Sequence, residues 1–141
     1  MTVLIDTNIL LDWILEREPF FVASDKIIRL CSDGTINGCL AAHSITNAFF
    51  IMRKNYTVQE RRDYLLGFCD FLSIIDIDEK KIISALENRT FKDFEDCLQA
   101  ECAAACRADY IVTRNVEDFA GSKVRAIAPE ELLKLADETD E

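Results

Sequence analysis

Three short stretches of the chain hold residue types from which a reactive site can be built. Asp6 ends the apolar run Val3-Leu4-Ile5 and opens Asp6-Thr7-Asn8-Ile9-Leu10-Leu11-Asp12, where three polar residues stand together between two apolar runs. Asp93 and Asp96 lie three apart in Phe91-Lys92-Asp93-Phe94-Glu95-Asp96, so on a helix they share one face. The third stretch, Thr113-Arg114-Asn115-Val116-Glu117-Asp118-Phe119, follows another apolar run. Two carboxylates on one helical face repel by about 0.2–0.5 kcal/mol at surface exposure, and a bound divalent cation turns that repulsion into attraction. If Asp6, Asp96 and Asn115 or Asp118 converge, they present hard oxygen donors without histidine or thiolate, which suits Mg²⁺ or Mn²⁺. Open carboxylate cages of this kind serve phosphate esters: the ion polarises the phosphoryl oxygen, lowers the pKa of a bound water and, with nearby Lys or Arg, reverses the local sign that a phosphate meets. A plainer account stands beside this one, in which Asp6 and Asp93 cap helices and Glu95 and Asp96 are solvated acids of a first turn.

The elements that must position these residues follow from periodicity. Short β-branched runs alternate with longer helical patterns, the signature of a parallel sheet covered by helices on both faces. Strands are expected at Val3 to Ile5, Ile36 to Ala41, Ser73 to Ile77, Tyr110 to Thr113 and Val124 to Ile127. Helices are expected from Ile9 to Leu15, broken by Glu18-Pro19, and from Val22 to Cys31, closed by the turn Asp33-Gly34. Ser44 is the expected cap of a helix carrying Ile45, Ala48, Phe49 and Met52, and Val58 to Phe71 turns back beside it as a helical hairpin. Asp78 is the expected cap of a helix with Ile82, Ile83 and Leu86 on its inner face, Phe91 to Ala108 is the longest helical stretch, and Pro129 opens a last helix at its first position. In such a sheet ligands bind beyond the carboxyl ends of the strands, where Asp6 and Thr113 to Asp118 fall.

Length and composition bound the rest. A chain of 141 residues, half apolar and 30% charged, is expected to be one globular domain spanning residues 1–141. The net charge of −10 argues against a binder of nucleic acid or anionic membrane that works by bulk attraction, but not against a local basic track. Half of that imbalance lies in the last twelve residues, where Glu130, Glu131, Asp137, Glu138, Asp140 and Glu141 face Lys134 alone. The six cysteines form no C-x-x-C pair and sit among apolar residues, so buried reduced thiols are expected; with His43 the only histidine, a zinc site has no support. The opening residues carry no basic leader and no stretch reaches membrane-spanning length, so a cytosolic protein without a membrane partner is expected. No P-loop, dinucleotide fingerprint or nucleophile elbow is present.

Taken in order, Val3-Leu4-Ile5-Asp6-Thr7-Asn8-Ile9-Leu10, Asp93-Phe94-Glu95-Asp96-Cys97-Leu98-Gln99-Ala100, and Ile111-Val112-Thr113-Arg114-Asn115-Val116-Glu117-Asp118-Phe119, followed by Ala128-Pro129-Glu130-Glu131-Leu132-Leu133, resemble the PIN-domain family, many of whose members are VapC-like toxins of toxin–antitoxin pairs. The resemblance implies a three-layer α/β/α sandwich around a mainly parallel sheet of about five strands. It also implies divalent-metal-dependent RNA cleavage by an acidic quartet, with Mg²⁺ or Mn²⁺ as cofactor, RNA as substrate, a small antitoxin as partner and a homodimer. Asp6 matches the first family acid and Asp96 the third, both expected to bind the metal directly, with Asp93 a neighbouring helper. The second acid, a Glu in the family, falls on Asn47, and the fourth on Asn115, with Asp118 three residues further on. An amide can coordinate a cation but brings no charge and cannot act as a general base.

Arg53, Lys54, Arg61 and Arg62 cluster at the hairpin near Asn47 and are the expected phosphate contacts, against the plainer reading of a solvated face. Phe49-Phe50, Trp13, Phe20 and Phe21 are expected in the core or at an interface, with a peptide groove open to them if the first two helices expose some. Two other classes compete with the nuclease. One is a catalytically weak or inactive PIN-fold module that binds RNA or protein, its catalysis lost with the amides at 47 and 115. The other is a phosphoacceptor receiver domain, disfavoured because Ala126-Ile127-Ala128, before Pro129, lacks the lysine that class needs.

Overall fold

The apolar triplets at the two ends of the chain pair side by side at the centre of one sheet. The computed structural model describes residues 1–139. Its strands are β1 (Thr2–Ile5), β2 (Asn37–Ala41), β3 (Ser73–Ile75), β4 (Tyr110–Val112) and β5 (Ala126–Ile127). They run in the order β3-β2-β1-β4-β5, every neighbouring pair parallel. The helices are α1 (Thr7–Ile14), α2 (Phe21–Ser32), α3 (Ala42–Ile51), α4 (Val58–Cys69), α5 (Glu79–Glu87), α6 (Phe94–Ala105) and α7 (Pro129–Thr139), with short 3-10 turns at Met52–Lys54 and Val116–Phe119. This is the expected α/β/α sandwich.

Two-residue alternation in the strands divides the core. Val3, Ile5, Leu40, Val112 and Ile127 point into the larger cluster, with Ile9, Leu10, Ile27, Met52, Phe68 and Leu132 from the helices of that layer. Leu4, Cys39, Ala41 and Ile111 point the other way, onto Ala100, Cys102 and Ala103 of α6 and onto Phe119. The small side chains of α6 let it lie close on the sheet, and Gly38 does the same for α2. A Cβ at residue 38 would stand 2.6 Å from Leu72 Cδ2 and 2.8 Å from Cys31 Sγ, so even alanine would force β2 and its neighbours apart. Gly34, at φ +85°, closes α2 as the Asp33-Gly34 pair predicts. Thr57 and Glu60 form a full capping box that starts α4, and Asp78 caps α5 by accepting from the Lys81 amide.

Several expectations are corrected. Ser44 is not a cap: α3 starts three residues earlier with Ala41 at the cap position, and the fully buried Ser44 hydroxyl pairs with Thr7 Oγ1 at 2.6 Å. The long Phe91 to Ala108 helix is shortened at both ends, because Asp93 takes the capping position and Cys106 ends the last turn. β3 and β5 are likewise shorter than their apolar runs, as edge strands with one partner each. The face of α5 expected to turn inward faces water instead. Ile82, Ile83 and Leu86 are 38%, 46% and 66% exposed, and only Ala85 of that helix is buried. All six cysteines are free thiols; Cys31, Cys39, Cys97 and Cys102 are buried, but Cys69 is exposed and Cys106 half-buried. Asp140 and Glu141 of the acidic C-terminal stretch lie outside the described residues.

Candidate active-site cleft

The sheet reverses its winding between β1 and β4, and the first polar residue after each strand lies at that switch point. Asp6, after β1, is 4% exposed, and Thr113, after β4, is fully buried. The Thr113 hydroxyl donates to Asp6 Oδ2 at 2.8 Å, and Gln99 Nε2, from α6, donates to Oδ1 at 3.0 Å. Gln99 also accepts from the Thr7 amide at 3.2 Å, so one side chain ties α6 to the start of α1. Asp6 occupies the N-cap position of α1, yet its carboxylate makes no capping bond. Asp93 does the opposite: its Oδ1 accepts from the Asp96 amide at 2.9 Å and caps α6. The two aspartates therefore separate, Asp93 filling the plainer role and Asp6 declining it.

Asp6, Asn47, Asp93, Asp96, Asn115 and Asp118 all line one open cleft of about 480 Å³. Glu95, Gln99, Thr7, Asn8 and Phe50 line it as well, and none of its lining residues is Lys, Arg or His. Burial, then the charges of Asp93, Asp6, Asp118 and Glu95, push the Asp96 carboxyl up to about 7. So many acids raising one carboxyl is the electrostatic sign that they converge. Asn47 sits mid-way along α3, where its Nδ2 donates to Glu95 Oε2 at 3.0 Å. One turn earlier, His43 Nε2 donates to the Glu95 carbonyl at 3.1 Å, and burial holds that imidazole below its ordinary pKa and so neutral. Asn115 is anchored through its amide, which donates to Thr113 Oγ1 at 3.1 Å, and Asp118 stands exposed in the 3-10 turn that follows.

Hydrogen bonding and charge decide whether these residues suit a hard cation. An ionised carboxylate has about four lone-pair positions, and neutral donors occupy one on each oxygen of Asp6, leaving the others for a ligand. Net negative charge without a cationic side chain, made of oxygen donors alone, fits Mg²⁺ or Mn²⁺. Among the described residues no three His, Cys, Asp or Glu are close enough to form a ready-made cage. The fit is therefore to an ion that keeps several of its own waters, as Mg²⁺ does.

The basic cluster lies outside this lining. Arg53 stacks 3.7 Å over the ring of Phe50 and donates to the Phe50 carbonyl, which puts it beside a cleft residue. Arg61 stacks over Phe49 and donates to the Phe49 carbonyl at 2.9 Å, so part of its work is to hold α4 against α3. Lys54 and Arg62 are exposed. Of the two places expected for Phe50, core or interface, its 61% exposure excludes the core. Gln99 and Thr113 lie inside the sequence motifs with no role expected of them, and Glu95 is expected there only as a solvated acid of a first turn. The spacing of Gln99, three after Asp96 and buried among Ala and Cys, is the signal that marks it.

A second cleft, about 410 Å³ and more apolar, runs between α2 and α4 and is lined by Trp13, Ile28, Phe68 and Phe71, with Asp25, Arg29 and Asp63 at its edges. No helix among the described residues is long and apolar enough to cross a membrane.

The fold has solved relatives. A toxin–antitoxin complex from Klebsiella pneumoniae superposes with a TM-score of 0.67 at 22% identity, over 90% of this chain and 97% of that one. VapBC2 from Rickettsia felis, bound to a DNA fragment from their promoter, gives 0.66 at 20% identity, over 91% and 98%. FitAB bound to the IR36 DNA fragment gives 0.62 at 16% identity, over 90% and 94%. No curated protein matches the chain. The PIN domain family model matches residues 2–117, a span that includes the ends of β1 and β4, the start of α6 and Asn47 of α3, and the chain belongs to the PIN domain family.

Proposed function

We propose that this chain is a divalent-metal-dependent endoribonuclease, the toxin of a toxin–antitoxin pair, acting in the cytoplasm as one folded unit with Mg²⁺ or Mn²⁺. The observation that carries the reading is the uncompensated acidic cleft at the switch point, where burial and then the charges of its neighbours push Asp96 up to about 7 and no cationic side chain lines the cleft. Asp6 and Asp96 would hold the ion, with Asp93 beside them through the oxygen that does not cap α6. Bound there, the ion supplies charge for a phosphoryl oxygen and acidifies a water for in-line attack on a phosphodiester. Gln99 and Thr113 orient Asp6 and keep its carboxylate from turning to cap α1. Asn47, Asn115 and Asp118 complete or orient the shell from the opposite wall and the rim. Arg53, Lys54 and Arg62, with the free edge of Arg61, are the phosphate contacts of the RNA.

The partner in this reading is a small antitoxin. The α2/α4 cleft, with Trp13, Phe68 and Phe71 along it, is the place for one amphipathic helix of that antitoxin, whose apolar stripe would cover the rings. A homodimer belongs to the same proposal and is checked by light scattering.

The experiment is Mn²⁺-dependent cleavage of structured and unstructured RNA by wild type and Asp6→Asn side by side. Asn keeps the size of Asp6 and an oxygen for one of its two donors while removing the charge, and thermal melting verifies that the variant folds. Cleavage by wild type, lost in the variant and in chelator, supports the nuclease. Equal cleavage by both places the activity elsewhere. The amides at 47 and 115 favour a second reading, a PIN-fold module that binds RNA or protein without cutting; RNA binding by wild type with no cleavage at any Mn²⁺ concentration selects it.

A further inference from the structure

The carboxylate that the family pattern puts in α3 is missing at Asn47, but the structure brings another carboxylate to that spot. Asn47 Nδ2 donates to Glu95 Oε2 at 3.0 Å across 48 positions of sequence. Four residues earlier on the same face of α3, His43 Nε2 donates to the backbone carbonyl of Glu95 at 3.1 Å. Two side chains of one helix thus hold one residue of another, one by its backbone and one by its carboxylate. Glu95 lies in the first turn of α6, next to Asp96, and lines the cleft with Asp6, Asp96 and Asp118. An exposed glutamate in a first turn ordinarily wanders in water, since its rotamers are nearly equal in energy. The amide of Asn47 removes that freedom and keeps the carboxylate over the cleft. A glutamate at position 47 would repel Glu95; an asparagine attracts it.

Resting on the cation-binding reading above, we propose that Glu95 is the acid that replaces the one absent from position 47. α3 supplies the holder and α6 supplies the charge, so the cleft keeps its negative complement while one acid has moved from one wall to the other. Glu95 then contacts the cation or one of its waters, and Asn47 is a positioning residue that acts through it.

The test is Mn²⁺ binding by titration calorimetry on the full chain, with thermal melting to verify that each variant folds. Glu95→Gln should weaken Mn²⁺ about tenfold, the loss of one nearby charge. Asn47→Ala keeps the charge but frees it, and should weaken Mn²⁺ by roughly threefold to tenfold, as an outer-shell change does. The double variant Asn47→Glu with Glu95→Gln returns the acid to α3 and should bind within about threefold of wild type, a rescue that a merely structural contact would not give. Wild-type affinity in Glu95→Gln, alongside binding abolished by Asp96→Asn, overturns this inference and leaves the cation site intact. If wild type itself binds no Mn²⁺, the cation-binding reading fails and this inference with it.

Discussion

Two buried aspartates six residues apart meet opposite fates. Asp12, on α1, is fully buried and answered by charge: Arg114 donates to it through two nitrogens at 2.8 and 3.0 Å, and Arg17 lies 3.6 Å away. Asp6, at the mouth of the same helix, is nearly as buried but answered only by the neutral donors Gln99 and Thr113. Arg114 is near enough for the Asp6 charge to act on it, yet its hydrogen bonds go to Asp12, and its guanidinium rests on Phe20. Hydrogen bonds to Asp12 are the chief reason that Arg114 holds its proton above its ordinary range. A carboxylate whose charge is cancelled inside the protein supports the fold; in the function proposed above, one bonded only by neutral donors keeps its remaining lone pairs for a cation.

That contrast can be broken in four ways. The largest effect is expected in the cleft: Asp96→Asn should lower Mn²⁺-dependent RNA cleavage by at least about a hundredfold, roughly 3 kcal/mol of transition-state stabilisation, with the chain still folded. Retained cleavage in that variant would place the reactive ion elsewhere. Arg114→Ala should instead act on stability. It strands the Asp12 charge, so about 3 kcal/mol and roughly 9 °C of Tm are expected to go, and the paired replacement Asp12→Leu with Arg114→Met should restore most of it. A melt that is no lower in Arg114→Ala would mean that the ion pair does not hold α1 to the β4 loop.

Cations of the hairpin are the counterpart of the cleft acids. Among the described residues no ion pair involves Arg53, Lys54, Arg61 or Arg62, so their charge is also left over. Arg53→Glu with Lys54→Glu should weaken RNA binding several-fold and lower the salt slope by about 1.4, two single-strand phosphate contacts. Unchanged affinity and slope would take the hairpin off the RNA path. The smallest effect is again at Asp96, without metal. Its folded pKa is raised to about 7, above the unfolded value near 3.8, so the folded state loses stability as pH rises from the lower value to the higher. Asp96→Asn escapes that loss. After discounting for solvent screening, its advantage should be on the order of 1 kcal/mol, about 3 °C, at pH 8 and close to nothing at pH 4. Mg²⁺ or Mn²⁺ should raise the melt of wild type and close the gap. An advantage that does not change with pH would mean that neither burial of the Asp96 charge nor its repulsion by the other acids is its source.

Much of the architecture is legible in local pattern. Continuous apolar runs at Val3–Ile5 and Ile111–Val112 mark strands buried on both faces, and Asp78 and Asp33-Gly34 mark helix ends by their own chemistry. Periodicity misleads at α5, where Ile82, Ile83 and Leu86 form an apolar row at helical spacing that the sheet does not cover. It misleads at Ser44 too, because a hydroxyl before an apolar run looks like a cap until Thr7 claims it from 37 positions away.

The chain on its own determined which residues could react and where its strands and helices would form, since both depend on residue type and on spacing within a few turns. The tertiary structure decided what each acid does. Asp6 and Asp93 look alike in sequence, yet one caps its helix and the other is pulled off its cap by Gln99 and Thr113, 93 and 107 positions away. Glu95 becomes part of the cleft wall only because α3 and α6 meet. A carboxylate's role depends on which donors and charges surround it, and those arrive from distant parts of the chain only once the sheet has brought them together.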